Sequence, residues 1–148
     1  CMVTALAHEV AGIIPVATLD ECAAWKAQGY LTAAERDGKK VEGFDLDNSP
    51  FSYQNPDLKS KEIVVTTTNG TLAITKSVKA SSILIGSFLN IEALVQYLKS
   101  QNQHVLVVCA GWKGNVSRED TLFGGALSYY LQDTFSIKQD AMRMALDM

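Results

Sequence analysis

The chain has 148 residues, of which 47% are hydrophobic and 20% charged, and its formal net charge is −3. This length allows one domain with a substantial hydrophobic core. The sequence has no basic stripe, which argues against a nucleic acid partner. No apolar run approaches the roughly 20 residues of a membrane span, so no membrane partner is expected either.

The cysteine content indicates the cellular compartment of the protein, and the two ends of the chain indicate whether the sequence is truncated. Three cysteines are an odd number without metal-binding spacing, and the first residues lack the basic region of a signal peptide. A reducing cytoplasm is therefore expected. The chain begins with Cys1 inside a helical pattern and ends in another, at 137–148, without a glycine stop. We expect a single α/β domain over 1–148, truncated at both ends.

The first half predicts helices and strands followed by a long loop. Pro15 indicates an edge position or a strand end, because proline cannot donate a hydrogen bond to a sheet. The polar, glycine- and proline-containing stretch that begins at Arg36 predicts a long loop, and such loops are usually functional or disordered. Helices are predicted over 2–10, closed by Gly12, and from Thr18 or Asp20 to about Gln28, closed by Gly29; strands are predicted over 12–18 and 30–35.

The second half predicts three strand–helix pairs. Its apolar runs are continuous rather than alternating, which is typical of strands covered on both faces. The alternation of strands and helices implies a parallel sheet with right-handed crossovers. We therefore expect an α/β fold, a three-layer sandwich with a mostly parallel sheet covered by helices on both faces. Strands are predicted over 62–68, 82–86 and 104–110, and helices over 69–80, 87–101 and 117–132.

Three strand-to-helix turns follow these strands, at 66–71, 86–90 and 109–120. In a parallel sheet all three belong to one edge, the carboxyl ends of the strands, where open α/β sheets bind ligands. Helix N-termini at that edge offer unpaired N–H groups and a partial positive charge. The arrangement predicts an anion-binding site.

The first turn, "TTTNGT", offers hydroxyls, an amide and a glycine that allows close approach of the backbone. It lacks the spacing of a P-loop or of a dinucleotide fingerprint. A threonine-rich strand end with a plain Asn69 N-cap explains it equally. The residues predicted to surround a phosphate or carboxylate are Thr68, Asn69, Gly70 and Thr71.

Other candidates have similar alternatives. Ser87 and Asn90 in the second turn are predicted to bind substrate, but plain capping also explains them. Asn48 and Ser49 lie in the long loop, where turn chemistry alone is sufficient. Glu35 ends a predicted strand and would emerge at the same edge as the turns.

The third turn, "CAGWKGNVSRED", is the richest in polar groups. Ser117 as an N-cap with acids in the first helical turn explains part of it. The adjacent Glu119 and Asp120 are explained if a divalent cation, Mg²⁺, lies between them and a bound phosphate. Lys113 and Arg118 would offset charge on the ligand, or are ordinary solvated groups. The remaining candidates for substrate binding in this turn are Gly111, Gly114 and Ser117.

Nucleophilic catalysis by the protein is not favoured. His8 and His104 each lack a partner at ligand spacing, and neither is favoured as a catalytic base. No cysteine or serine lies beside a plausible general base, so no covalent enzyme intermediate is expected.

Four motifs carry a family resemblance: "TTTNGT", "GSFLN", C-A-G-x-x-G-x-x-S-x-E-D-T, and E-R-x-G followed by G-F-D-L-x-N-S-P. With "IIPVATLDEC", this set resembles the 2-phosphosulfolactate phosphatase family over about residues 1–135. The resemblance implies an α/β fold and magnesium-dependent removal of phosphate from 2-phosphosulfolactate. The product would be sulfolactate, on a route to coenzyme M.

The chain also departs from the family pattern. The resemblance implies an upstream Asp-Val-Leu-Arg-Ala-type strand end, which this sequence lacks, and further chain beyond Met148. Arg118 stands where an apolar residue is usual, which bears on substrate preference. Asp47 replaces a common glycine, and Phe123-Gly124 replaces Cys-Ala.

The predicted function is hydrolysis of a small, multiply anionic phosphate monoester by water attacking in line. Glu119 and Asp120, with Glu35 or the absent upstream aspartate, are predicted to hold Mg²⁺. One alternative is a non-catalytic anion-binding or assembly module. Another is a carbohydrate- or nucleotide-utilising α/β enzyme with an unrelated reaction. The family likeness and the apolar helix faces predict a homodimer.

Overall fold

The computed structural model describes residues 1–101 and 103–148. The chain has mixed α/β content, and contacts divide it into two compact units, Cys1–Ile85 and Gly86–Met148. The single-domain expectation stays a prediction. The helices are α1 (Met2–Ala7), α2 (Leu19–Ala27), α3 (Gly70–Lys76), α4 (Ile91–Gln101), α5 (Arg118–Leu131) and α6 (Asp140–Leu146), and the strands are β1 (Gly12–Pro15), β2 (Leu31–Arg36), β3 (Lys39–Lys40) and β4 (Glu62–Thr66).

The four strands form one mostly parallel sheet in the first unit, in the order β1-β4-β2-β3. The pairs β1–β4 and β4–β2 are parallel, and only β3 pairs with its neighbour in the antiparallel sense. The central position of β4 explains its apolar composition, since Ile63, Val64 and Val65 are at most 1% exposed. Pro15 ends β1, an edge strand, as predicted.

Helix α2 begins with a capping box at Thr18, one of the two N-cap residues that the sequence predicts. The Thr18 hydroxyl accepts from the Glu21 amide at 3.1 Å, and the Glu21 carboxylate accepts from the amides of Thr18 and Ala17. The helix packs on β2 and β4. There the buried thiol of Cys22 lies 3.9 Å from the Ala33 carbonyl oxygen.

A second layer of apolar contacts forms one core cluster with the strands. Ala5 of α1 and the side chain of Tyr53 pack in the same cluster as Ala33, Ile63 and Val65. Helix α2 contacts β2 and β4 directly, and α1 shares this core cluster with the strands.

The prediction of one long loop after β2 is wrong in part. This segment contains β3 and two 3₁₀ helices, Pro50–Gln54 and Pro56–Leu58. Tyr53 is only 1% exposed, and its hydroxyl donates to the Asp47 carbonyl at 3.1 Å. Tyr53 and Leu58, the buried apolar side chains of this segment, stand singly among polar residues, so they carry no helix or strand period.

Two predicted strands are also wrong. Residues 82–86 and 104–110 do not pair with any strand in the part of the chain that the structure describes. Leu84 is 41% exposed and Leu106 is 75% exposed. An apolar run supplies the side chains of a buried strand, but a strand also requires a neighbouring backbone to bond.

The helices of the second unit agree with the sequence. Leu94 and Leu98 of α4 form a core cluster with Leu127 and Leu131 of α5. Helix α6 packs on α5 through Gly125, where an added Cβ would collide with the Ala145 carbonyl. No helix in the residues described has the length and apolar character to cross a bilayer.

The Asp45 carboxylate connects α2 to β2 by hydrogen bonds, and its contribution to stability is expected to depend on pH. Its carboxylate accepts from Lys26 Nζ at 2.5 Å, from the Thr32 amide at 2.9 Å and from the Thr32 hydroxyl at 2.8 Å. Burial alone would raise the pKa of Asp45, but the hydrogen bonds from Lys26 and Thr32 outweigh it and hold the pKa below its ordinary 3.8. This contribution to stability is therefore present above pH about 3.8 and is lost as the pH falls through the folded-state pKa.

We expect Asp45→Asn to lower the free energy of unfolding by roughly 1 kcal/mol near neutral pH, since both charged groups are about one-third exposed. The difference from the unsubstituted chain should shrink as the pH falls below about 3.8. Urea denaturation across this range measures it. Asp57→Asn, at an exposed aspartate of the same unit, is the control. A difference that stays constant with pH would contradict the assignment.

Candidate functional site

Glu35 is a buried carboxylate at the carboxyl end of β2. It is 7% exposed and accepts from the Gly38 amide at 2.5 Å. The amide and the hydroxyl of Thr68 both lie 3.4 Å from its oxygens. The parallel pairing of Ala34 with Thr66 aligns the two strand ends, so the structure brings Glu35 and the first predicted turn together.

The turn between β4 and α3 is closed by a reciprocal threonine pair. The Thr67 amide donates to the Thr71 hydroxyl and the Thr71 amide donates to the Thr67 hydroxyl, each at 3.2 Å. The Thr71 hydroxyl in turn donates to the Thr67 carbonyl at 2.9 Å. Thr67 therefore provides the capping oxygen that the sequence assigned to Asn69, which occupies the N-cap position without a side-chain cap bond. A Cβ at Gly70 would lie 3.2 Å from the Thr67 hydroxyl, so a larger residue there would crowd the turn.

Arg36 is a cation at the same strand ends that is not among the predicted site residues. Its Nη2 donates to the Thr66 hydroxyl at 3.0 Å and its Nη1 donates to the Glu35 carbonyl at 2.6 Å. The sequence feature that could have identified Arg36 is its position directly after Glu35, at the end of a predicted strand.

Asn48 and Ser49 belong to a turn organised by Asp47. The Asp47 carboxylate accepts from the Ser49 amide at 2.9 Å and from the Ser52 hydroxyl at 2.5 Å. These two hydrogen bonds hold the pKa of Asp47 below its ordinary value. The Asn48 side chain accepts from the Cys1 thiol. Local turn chemistry accounts for the bonds of Asp47.

In the second unit, Ser87 and Asn90 bond to each other. The Asn90 side-chain oxygen accepts from the Ser87 amide at 2.8 Å and from the Ser87 hydroxyl at 3.2 Å. These bonds close the 3₁₀ turn Phe88–Asn90 that precedes α4. The geometry is that of an ordinary cap.

The third turn contains a two-residue hairpin. Trp112 and Asn115 exchange two backbone hydrogen bonds, each 2.9 Å long. The central residues, Lys113 and Gly114, have φ of 49° and 80°, the pair of positive angles that a type I′ turn requires. Gly111 has φ of 71°, and a Cβ there would lie 2.7 Å from the Asn115 carbonyl oxygen. The two glycines are thus explained by the loop's backbone.

The Asp120 carboxylate accepts hydrogen bonds from both ends of this loop. One carboxylate oxygen accepts from the Gly111 amide at 2.8 Å, and the other accepts from the Ser117 hydroxyl at 3.0 Å. Ser117 caps α5 by accepting from the Asp120 amide. Burial, followed by the charge of Asp120, raises the pKa of the Cys109 thiol, so Cys109 lacks the thiolate character of a nucleophile.

Glu119 and Arg118, the neighbours of Asp120, are exposed. The Glu119 carboxylate forms no hydrogen bond or ion pair with another described residue. Glu119 is therefore available to a ligand from solvent. His8 and His104 are also exposed.

Glu119 and Asp120 are the carboxylates of this loop that could contribute to a magnesium site. Over residues 1–101 and 103–148, no group of three or more His, Cys, Asp and Glu side chains is placed to hold a metal. Mg²⁺ usually keeps several waters and takes one or two carboxylates. Glu119 and Asp120 supply that number of carboxylates.

Comparison with known proteins gives one consistent result. A sequence model of the family described as 2-phosphosulpholactate phosphatase matches residues 1–148. A Thermotoga maritima protein named "Probable 2-phosphosulfolactate phosphatase" is 45% identical over 126 residues, which cover 85% of this chain and 55% of the relative. A protein of that name from Caldanaerobacter subterraneus subsp. tengcongensis is 36% identical over 146 residues, covering 96% of this chain and 61% of the relative.

A third relative of the same name, from Clostridium acetobutylicum, is 40% identical over 134 residues, covering 88% of this chain and 57% of the relative. The chain thus spans between 55% and 61% of the length of these three relatives. The motifs in "TTTNGT", "GSFLN" and "CAGWKGNVSRED" predicted this relationship, and it is confirmed: the chain belongs to the 2-phosphosulpholactate phosphatase family.

Proposed function

We propose that the protein to which this chain belongs hydrolyses a small, multiply anionic phosphate monoester. The proposed substrate is 2-phosphosulfolactate, and the products are sulfolactate and phosphate. The observation that carries the proposal is the buried Glu35 carboxylate, held against Thr68 at the ends of two parallel strands. Relatives named 2-phosphosulfolactate phosphatase support the choice of substrate. Coenzyme M synthesis in the cytoplasm is the proposed setting.

In this proposal, the first unit binds the anionic ester and orients water. The Thr68 hydroxyl and the backbone at Asn69 and Gly70 face oxyanions of the substrate. Thr71 does not contact the substrate in this proposal. Its hydroxyl is bonded to the Thr67 backbone and holds the turn in its conformation. Glu35 accepts a proton from the attacking water, the role of a carboxylate within hydrogen-bond reach of that water.

The second unit is proposed to carry the metal ligands. Glu119 and Asp120 would hold Mg²⁺, which when bound neutralises charge on phosphoryl oxygens and acidifies a water. Lys113 and Arg118 offset the charge of an acidic ligand, and Gly111, Gly114 and Ser117 form the backbone of the loop. Asp120 keeps this loop in shape through Gly111 and Ser117.

The architecture and assembly are part of the proposal. The packing of α2 and α1 with the strands supports a three-layer sandwich. Exposed aromatic groups on α5, Tyr129 and Tyr130, support a homodimer, because such side chains are enriched at interfaces.

A second candidate function is a non-catalytic anion-binding or assembly module. The observation that favours it is the bonding of Asp120, whose two carboxylate oxygens both serve the loop. Such a module would bind phosphate esters without releasing phosphate.

Phosphate release from 2-phosphosulfolactate, with Mg²⁺ and with a chelator, tests the proposal. We expect turnover that requires Mg²⁺ and a much slower reaction with simple alkyl phosphates. Binding of the ester without release of phosphate would favour the second candidate. Release that is unaffected by chelation would contradict the magnesium role.

A further inference from the structure

We propose that Arg36 binds an oxyanion of the substrate at the carboxyl end of β2. This inference rests on the proposed function and adds to it a residue that determines specificity. The ligand chemistry is that of a carboxylate or phosphoryl group.

The guanidinium is held in place by neutral groups. Nη2 donates to the hydroxyl of Thr66, a fully buried residue, and Nη1 donates to the Glu35 backbone carbonyl. Both acceptors lie at the ends of paired strands, so the position of the guanidinium follows from the register of the sheet. A group fixed in this way is pre-organised for a ligand, since less side-chain entropy is lost on binding.

Arg36 forms no salt bridge with an acid among the described residues. Among the described residues, the salt bridges within 4.0 Å join Lys26, Lys59 and Lys99 to acids, and none includes Arg36. A guanidinium has five N–H donors, and the two bonds to Thr66 and Glu35 leave others available. A partly buried charge without a counter-ion is unfavourable, and a bound oxyanion would relieve this.

The shape of the group selects the ligand class. The planar fork of arginine matches two oxygens of a carboxylate or phosphoryl group, which a lysine ammonium does not. A metal ion is excluded as the ligand of Arg36, because like charges repel. The proposed substrate carries more than one such oxyanion, so the experiment must separate them.

Two phosphate esters separate the phosphoryl group from a second anion. 2-Phospholactate carries a carboxylate beside its phosphoryl group, and isopropyl phosphate does not. We expect Arg36→Met to raise KM for at least one ester about tenfold with little change in kcat, as loss of a charge-assisted hydrogen bond predicts. A rise for 2-phospholactate alone assigns Arg36 to the carboxylate, and an equal rise for both assigns it to the phosphoryl group.

The matched control is Lys39→Met, which removes an exposed positive charge opposite Arg36 in the β2–β3 hairpin. If Arg36→Met destabilises the fold, Arg36→Lys keeps the charge, removes the fork, and should raise KM in the same pattern. KM values within twofold of the unsubstituted chain for both esters, or a rise equal to that of Lys39→Met, would overturn the proposal.

Failure of the proposed function gives a different result. If the unsubstituted chain turns over neither ester, inorganic phosphate and lactate are titrated by calorimetry into the same variants. About tenfold weaker binding of either anion to Arg36→Met, but not to Lys39→Met, would support the role of Arg36 without any hydrolysis. Equal binding to all variants, or no binding to the unsubstituted chain, would refute it.

Discussion

Glu119→Ala is expected to lower magnesium-dependent turnover about 100-fold while leaving the thermal unfolding midpoint almost unchanged. Loss of a metal-binding carboxylate weakens metal affinity or activity by at least this order. The fold should tolerate the change, because Glu119 is exposed and substitutions at such positions usually alter stability by about 0.5 kcal/mol or less. Initial rates across a range of Mg²⁺ concentrations and thermal denaturation measure the two effects.

Substitution of the neighbouring Asp120 is expected to affect stability as well as turnover. Asp120→Ala should lower turnover to a similar extent and also destabilise the fold by about 1–3 kcal/mol, since it leaves the Gly111 amide and the Ser117 hydroxyl without their acceptor. Glu92→Ala, at an exposed acid in the first turn of α4, is the control for charge. Turnover and Mg²⁺ dependence of Glu119→Ala equal to those of the control would show that the metal assignment is wrong.

Capped helices were the most predictable part of the fold. Thr18 with Glu21 and Ser117 with Asp120 are local signals, because the capping side chain and the amide it bonds are three residues apart. Both helices begin where the sequence indicates. Long-range structure is less accessible. The runs 82–86 and 104–110 resemble β4 in composition, but of these three segments only β4 pairs with neighbouring strands in the described part of the chain. Composition predicts what a strand buries and not which backbone it bonds.

The candidate site divides in the same way. The meeting of Glu35 with Thr68 follows from two parallel strands ending at one edge, which the pattern of apolar runs already implies. The paired positive φ angles of Lys113 and Gly114 were missed, because lysine is not a residue that signals a type I′ turn. Arg36 was missed because charged residues at strand ends are common, and only the neutral partners in the structure set this one apart.

Glu35→Gln is expected to lower turnover at least 100-fold, the effect of removing a general base. Glutamine keeps the size of the side chain and one acceptor for the Gly38 amide, but its NH₂ group cannot accept from Thr68. The free energy of unfolding should therefore fall by about 1–3 kcal/mol. Initial rates at saturating substrate and urea denaturation measure the two effects, with Glu42→Gln, an exposed acid of the same unit, as the control.

The two effects of Glu35→Gln have separate causes, so a second variant at the same contact distinguishes them. Thr68→Val removes the hydroxyl that faces Glu35 and keeps the carboxylate and its bond to Gly38. If Glu35 accepts the proton from water, Thr68→Val should retain most of kcat and raise KM, whereas Glu35→Gln should lower kcat. Similar kcat values in Glu35→Gln and Glu42→Gln would leave Glu35 only the structural task of joining the Gly38 turn to β4, and the base would have to be another residue.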